Sequence, residues 1–350
     1  MNSKKRLAVI ALLSACTYMF AAGGGYLRLR EAAVKNAEEG RMKNVTVTWL
    51  TAPRPEPSPE PTPVPEETVT VISTDPEPDP EEEAAPEPLI TVIDSSAGDI
   101  RETTITGGLT IRNETDYNVD VSAVISSGTD IRLPADSPQI LIIHTHSSEA
   151  YTPAGLDRYE ASDTNRTEDT EYNIIRIGDE LTDIYTEAGL NVIHDRGIYD
   201  YPSYTGSYSR SGAAIEGYLA QYPDIGIVID MHRDALGSND VVYKTVAEES
   251  GVCASQVMLL VGTDASGLDH PNWRSNLSLA LYMQYAADSR YPTLMRPVSL
   301  VQQRYNQHLT RGSLILEVGS SGNTLQEALA AIRLFGKATA PALTELVENN

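Results

Sequence analysis

Histidine and carboxylate side chains follow an apolar run in the segment QILIIHTHSSEAY, which covers residues 139–151. The run leads into His144, and His146 and Glu149 come directly after it. Imidazole and carboxylate groups are common ligands of zinc and common carriers of protons in enzymes. These residues therefore predict a metal site or an acid–base site. The alternative is that they only cap a strand and form a loop.

Two other segments place similar residues at the ends of apolar runs. The segment DIGIVIDMHRDA (224–235) contains Asp230 and His232, and GSLILEVGSSGN (312–323) contains Glu317. A catalytic zinc hydrolase uses three protein ligands, an open position for water and an unligated carboxylate as the base. Two histidines from different strands, a nearby carboxylate and a separate glutamate match that set. The three segments together predict a zinc hydrolase.

The elements that would position these residues are visible as apolar patterns. Continuous Ile/Leu/Val runs are typical of buried parallel strands, beyond whose carboxyl ends ligands bind. Such runs predict strands at 139–144, 191–195, 225–231, 256–262 and 313–318. Helical spacing predicts helices at 173–188, 209–221, 274–287 and 324–347. This alternation indicates an α/β domain with a mostly parallel central sheet flanked by helices, to which residues 241–250 would add an edge strand or hairpin arm.

The amino terminus is predicted to be a membrane anchor, residues 1–30. Basic residues at positions 4–6 precede an uncharged, mostly apolar stretch from 7 to 27, which is long enough to span a bilayer. An uncleaved span is the favoured interpretation. A lipobox that would lipidate Cys16 and a cleaved secretory signal are the alternatives. All three predict that the rest of the chain lies outside the cytoplasm.

Residues 31–96 are predicted to form a polar helical segment followed by a disordered stalk. More than half of the 21 prolines lie between residues 53 and 88, among many acidic residues and a single base, Arg54. Such a stretch has too little apolar area to offset the entropy of ordering. The globular domain is therefore predicted at 97–350. The net charge of −23 argues against nucleic acid as a partner, because affinity for phosphate backbones comes from Lys/Arg clusters.

Five motifs occur in order along the globular region: ILIIHTHSSEAYTP, DYPSYTGSYSRS, IVIDMHRDA, RSNLSLA and GSLILEVGSSGNTLQEALAA. With them the chain resembles the stage II sporulation protein P family over roughly residues 100–348. Members of that family are membrane-anchored cell-wall hydrolases of endospore-forming bacteria, related to zinc-dependent N-acetylmuramoyl-L-alanine amidases of type 3.

The resemblance implies a function and its components. These are a type-3 amidase-like fold, Zn²⁺ as cofactor, and cleavage of the bond between N-acetylmuramic acid and L-alanine in peptidoglycan. The resemblance also implies an endopeptidase activity on peptide cross-links, and partnership with a lytic transglycosylase, stage II sporulation protein D, during engulfment. His146 and His232 match the two histidine ligands, and Glu317 matches the catalytic glutamate of the amidases.

Three further residues are assigned less directly. The third metal ligand is predicted to be Glu149, three residues after His146, with Asp169 at the start of the next helix as the alternative. His144 is two residues from His146, so the period of a strand predicts that both share a face and that His144 supports the site from outside the ligand set. Arg233 is predicted to pair with the adjacent Asp234 or to stabilise an oxyanion.

Two other functions use the same residue types. One is a zinc hydrolase of another class, such as a peptidase or a sugar deacetylase, but the base on the last strand argues against it. The other is a non-catalytic scaffold that binds peptidoglycan. Loss of a metal ligand would favour the scaffold, and the sequence shows no such loss.

Overall fold

The computed structural model describes residues 99–105, 109–237, 241–249 and 251–348. The predicted anchor at 1–30 and the predicted stalk at 31–96 lie outside these residues. Within the part of the chain that is described, no helix is long and apolar enough to cross a bilayer.

Strands and helices alternate along most of the described chain. The strands are β1 (Asp99–Thr103), β2 (Ile111–Asn113), β3 (Leu133–Pro134), β4 (Ile140–Ile143), β5 (Val192–His194), β6 (Ile227–Asp234), β7 (Val241–Thr245), β8 (Ala247–Glu249), β9 (Val252–Ala254), β10 (Val257–Gly262), β11 (Val298–Val301), β12 (Ser313–Ser320) and β13 (Val347–Glu348). The helices are α1 (Val121–Ser127), α2 (Ile174–Glu187), α3 (Ser207–Gln221), α4 (Trp273–Arg290) and α5 (Leu325–Thr344).

Seven strands form the central sheet, in the order β2-β11-β10-β12-β6-β4-β5. Every neighbouring pair is parallel except β10 and β12, which are antiparallel. The predicted mostly parallel sheet is therefore confirmed. The segment 241–250 does not add an edge strand to this sheet, because β7 pairs in parallel with β1 in a separate two-stranded sheet. β8 forms an antiparallel pair with β9, which agrees with the predicted hairpin arm.

Helix α2 shows how local sequence places an element next to the site. Its cap residue Asn173 accepts a hydrogen bond from the Ile175 N–H at 3.0 Å, which satisfies a donor that the first turn leaves free. Gly189, just beyond the helix, has φ 89°, a left-handed conformation that favours glycine. Ile177 and Leu181, four residues apart, turn one apolar face to the core.

Two apolar layers lie on opposite faces of the central sheet. In β6, Ile229 belongs to the larger cluster with residues of α2, α4 and α5, whereas Val228 belongs to a smaller cluster with Ile215 of α3. Successive strand residues point to opposite faces. His232 lies four residues after Val228 and is therefore on the α3 face. The same alternation places Glu317 of β12 on that face.

Folding disfavours the ionised form of the Asp288 carboxyl group on α4. It is half-buried, and its Oδ1 has no hydrogen-bond partner among the described residues. Burial raises its pKa from 3.8 to about 6, although a contact with Gln284 opposes the shift. Because the folded pKa is the higher one, ionisation destabilises the fold as the pH rises from the unfolded pKa to the folded pKa, and the full cost is present above it.

Asp288→Asn should therefore stabilise the protein at alkaline pH. After a discount for partial exposure, we expect the free energy of unfolding to rise by about 1–2 kcal/mol at pH 8 and by about half of that at pH 5. Denaturant unfolding at the two pH values measures this difference. The exposed Asp183 on α2 offers a control, as Asp183→Asn, and an equal gain at both pH values for Asp288→Asn would contradict the assignment.

Candidate metal and catalytic site

The predicted site residues meet where the central strands end. Strand β4 ends at Ile143, and the turn that follows carries His146. His232 lies near the end of β6 and is paired across the sheet with Glu317 of β12. Since β4, β6 and β12 are neighbours with the same direction, their carboxyl ends lie at one edge of the sheet. The strand order therefore brings together two histidines and a glutamate that are far apart in sequence.

The two histidine rings are in contact. The ring centroids of His146 and His232 are 5.2 Å apart, with the planes at 85°, and both residues are buried. On His232, Nδ1 is 3.5 Å from Glu149 Oε2 and Nε2 is 3.0 Å from Asp230 Oδ1. Burial would lower the pKa of His232, but Asp230 and Glu149 raise it well above its usual value. Burial and the nearby His232 lower the pKa of His146 to about 4.

Glu149 lies within this cluster as a buried, ionised carboxylate. Its Oε2 accepts a hydrogen bond from the Arg233 N–H at 3.1 Å, and its Oε1 is 3.4 Å from an Arg166 guanidinium nitrogen. Burial alone would raise its pKa, but Arg233 and His232 lower it to about 2. The residue is therefore a stable negative charge beside His232.

The pKa of Glu317 is shifted in the opposite direction from that of Glu149. Burial raises its pKa to about 8, and Asp234 adds to the shift, while His232 opposes it. Its Oε2 is buried and has no hydrogen-bond partner among the described residues. Two carboxylates, Glu149 and Glu317, therefore have pKa values far apart on either side of neutrality. Such a separation is typical of sites in which one acid holds charge and the other moves a proton.

Tyrosine rings form one wall of the site. Tyr204 stacks on His146 with centroids 4.5 Å apart, and its hydroxyl is 3.0 Å from His146 Nε2. Tyr208 of α3 lies edge-on to His146 at 5.4 Å and packs against Tyr305 at 5.3 Å. Sequence reasoning missed Tyr305. It has φ 52°, unusual for a residue other than glycine, and no local motif indicates that conformation.

His144 does not join the site, and the predicted shared face is wrong. Its Nε2 is 2.8 Å from His194 Nε2, and its Nδ1 is 3.3 Å from the carbonyl oxygen of Met231. A Cβ added at Gly178 of α2 would lie 2.6 Å from His144 Nε2, so the ring lies directly under that helix. The physical reason is that β4 ends at Ile143, and the following turn interrupts the two-residue period of the strand.

Asp169 and Arg233 occupy supporting positions. Asp169 is exposed, and its Oδ1 accepts a hydrogen bond from the Glu171 N–H at 3.1 Å in the turn before α2. Arg233 is buried; its side chain donates to the carbonyl oxygens of Ala150 and Asn165, both at 3.0 Å. The predicted partner of Arg233, Asp234, pairs with Arg296 instead, at 2.8 Å.

The residue types fit a zinc ion, although the described side chains do not already enclose one. Two imidazoles and a carboxylate are a common donor set for catalytic zinc. The buried Nδ1 of His146 lacks a hydrogen-bond partner among the described residues, as expected for an atom reserved for a ligand. In the described part of the chain, no three His, Cys, Asp or Glu side chains present their atoms in an arrangement that would hold a metal ion.

Sequence comparison identifies the family. The model of the family "Stage II sporulation protein P (SpoIIP)" matches residues 70–340 of this chain. The chain belongs to the stage II sporulation protein P family. It is 26% identical over 207 residues to stage II sporulation protein P of Bacillus subtilis (strain 168), a match that covers 55% of this chain and 48% of the relative. The chain thus aligns with about half the length of that relative.

Structure comparison finds N-acetylmuramoyl-L-alanine amidases similar to this member of the family. AmiC2 of Nostoc punctiforme is 11% identical with a TM-score of 0.35, over 59% of this chain and 96% of that chain. Ami1 of Mycobacterium smegmatis is 13% identical with a TM-score of 0.37, over 61% and 98%. The CwlD amidase of Clostridioides difficile, solved with the GerS lipoprotein, is 10% identical with a TM-score of 0.35, over 59% and 99%.

Proposed function

We propose that this protein is a zinc-dependent cell-wall hydrolase that cleaves the amide bond between N-acetylmuramic acid and L-alanine in peptidoglycan. The observation that carries the proposal is the pairing of Glu317, whose pKa is raised to about 8, with His232 across two neighbouring strands. His232 in turn contacts His146 and Glu149. Membership of the family favours peptidoglycan as the substrate.

His146, Glu149 and His232 are the residues that would hold the zinc ion. When bound, zinc acidifies a water molecule and polarises the carbonyl group of the substrate. The carboxylate of Glu149 contributes negative charge to the site, and its low pKa keeps that charge present at neutral pH. The two histidines contribute neutral nitrogen donors in the metal-bound state.

Glu317 is the proposed general base and acid. A carboxyl group with a pKa near neutrality takes a proton and returns it at comparable cost, which is the condition for efficient acid–base catalysis. Its unpartnered Oε2 would accept a proton from the attacking water and pass it to the leaving nitrogen of L-alanine. Burial beside Asp234 keeps the pKa raised and so maintains this capacity.

Product analysis tests the proposal directly. The purified full chain in detergent is incubated with peptidoglycan, with and without a zinc chelator, and the products are analysed by mass spectrometry. We expect peptides with a free amino terminus on L-alanine, glycan strands with intact lactyl groups, and loss of both products with the chelator. Cleavage only within the peptide would indicate an endopeptidase, and loss of acetyl groups would indicate a deacetylase. Unchanged peptidoglycan would favour the scaffold function.

The third ligand is tested by two matched alanine variants. Glu149 lies 3.5 Å from His232, whereas Asp169 is exposed in the turn before α2. Glu149→Ala should therefore weaken zinc binding by about a hundredfold or more, since each ligand contributes a large share of the binding free energy. Asp169→Ala should leave zinc affinity unchanged. Competition with a chromogenic chelator measures both affinities, and the reverse result would make Asp169 the ligand.

Location and partners belong to the same proposal. We infer that the protein acts outside the cytoplasm during sporulation, attached to a membrane by residues 1–30. The endopeptidase activity and the partnership with stage II sporulation protein D remain predictions from the family resemblance. The described residues bear on neither the anchor nor the partner.

A further inference from the structure

Asp230 is a buried carboxylate on β6 to which the proposed mechanism gives no role. Only 6% of the residue is exposed. Its Oδ1 accepts a hydrogen bond from the Thr145 N–H at 2.7 Å, and its Oδ2 accepts one from the Thr145 hydroxyl, also at 2.7 Å. Burying a carboxylate is costly unless its oxygens are paired. The hydrogen bonds from Thr145 therefore hold this charge at a defined place in the interior.

The hydrogen bonds continue away from Asp230 in one direction. The hydroxyls of Thr145 and Ser211 are 2.6 Å apart, and the Asn306 side-chain amide donates to Ser211 at 3.1 Å. A hydroxyl has one proton to donate, and an ionised carboxylate only accepts. Thr145 thus donates to Asp230, Ser211 donates to Thr145, and Asn306 donates to Ser211. The turn after β4, α3 and the loop before β12 therefore supply the donors that are oriented toward Asp230 of β6.

Asp230 also contacts His232. Asp230 Oδ1 is 3.0 Å from His232 Nε2, a charge contact that lacks the alignment of a hydrogen bond. The other ring nitrogen, Nδ1, is 3.5 Å from Glu149. The Nε2 of His146 is also close to a polar group, the Tyr204 hydroxyl at 3.0 Å, and its buried Nδ1 has no hydrogen-bond partner among the described residues. In both histidines a polar group therefore lies beside Nε2, as a hydrogen-bond partner in His146 and as a charge contact in His232.

We propose that Asp230 is a positioning residue that holds His232 with its proton on Nε2 and so leaves Nδ1, beside Glu149, to bind the metal ion. This inference rests on the proposed zinc-dependent function. A carboxylate behind a ligating histidine selects the tautomer, fixes the ring and makes the ligand more basic. Thr145, Ser211 and Asn306 supply the rigidity that this role requires.

Zinc affinity of the full chain tests the role of Asp230. Asp230→Asn keeps the shape but removes the charge, and we expect zinc affinity, measured by chelator competition, to fall about 10- to 100-fold. Asp195→Asn is the matched control. Asp195 is also a buried carboxylate with two donors, Gly197 N–H at 2.6 Å and the Tyr199 hydroxyl at 2.8 Å, but neither belongs to the proposed ligand set. The Asp195→Asn variant should keep wild-type zinc affinity even if its thermal stability falls.

The tautomer of His232 can be measured in the wild-type chain, so this second test does not depend on whether a variant folds. In the zinc-loaded wild-type chain, nitrogen NMR of labelled histidine should show His232 protonated at Nε2 and metal-bound at Nδ1. Metal at Nε2, or wild-type affinity in Asp230→Asn, would overturn this inference while leaving the proposed function in place. A wild-type chain that binds no zinc would overturn the proposed function and this inference with it.

Discussion

Glu317→Gln should retain zinc and lose nearly all turnover of peptidoglycan. Glutamine keeps the size of the side chain on β12 but neither accepts nor donates a proton as a carboxyl group does. Removal of a general acid–base group typically costs about 10²–10⁴-fold in rate. Glu317 is a base only if it is not a ligand, so the prediction has two parts. The turnover number on soluble muropeptides and the zinc content of the same preparation measure them together.

The outcomes for Glu317 separate three assignments. Loss of turnover with full zinc content supports the proposed base. Loss of zinc would make Glu317 a ligand and would require another base. Unchanged turnover would remove it from the mechanism. Glu216→Gln provides the matched control, because Glu216 is an exposed glutamate on α3, the helix that covers the same face of the sheet.

His146→Ala and His232→Ala should each abolish zinc binding at micromolar metal concentrations. The two rings are in contact at 5.2 Å and come from adjacent strand ends, so each variant removes a nitrogen donor from the same place. Binding free energies of about 10 kcal/mol or more for protein zinc sites imply that loss of one donor weakens affinity by roughly a hundredfold or more. Metal analysis after dialysis gives the stoichiometry, which we expect to be one zinc per wild-type chain.

A histidine outside the site controls for general effects of the substitution. His308 lies in a short 3₁₀ helix, Gln307–Leu309, and its ring packs against that of His270, with centroids 6.5 Å apart. His308→Ala should bind zinc as the wild type does. Full zinc occupancy in both His146→Ala and His232→Ala would contradict the site assignment, whereas loss in only one of them would identify the other as a supporting residue.

The four longer helices and the longer strands of the central sheet were predictable because their signals are local. Residues 173–188 were predicted as a helix, and α2 spans Ile174–Glu187 between the Asn173 cap and Gly189. The apolar run predicted at 313–318 is β12, which continues to Ser320. Caps, glycine positions and apolar spacing act within a few residues, so they can be read from a single segment.

Strands β2 and β11 were not predicted, although β11 is fully buried within the central sheet. They are three and four residues long, and they pair in parallel with segments far away in the chain. So short a run has no period that distinguishes a strand from a loop. Its extended form is stabilised by hydrogen bonds to a neighbour that only the folded chain supplies.

Residue types and their order along the chain were enough to indicate the class of chemistry. His146, His232 and Glu317 each follow or end an apolar run, and parallel strands with that pattern end at a common edge. Which side chains share one face of that edge is a tertiary property. The turn after β4 directs His144 beneath α2 and His146 into the site, and the pairing of β6 with β12 sets His232 beside Glu317. The raised pKa of Glu317 and the lowered pKa of Glu149 depend on burial and on charges brought from distant segments, and burial arises only on folding.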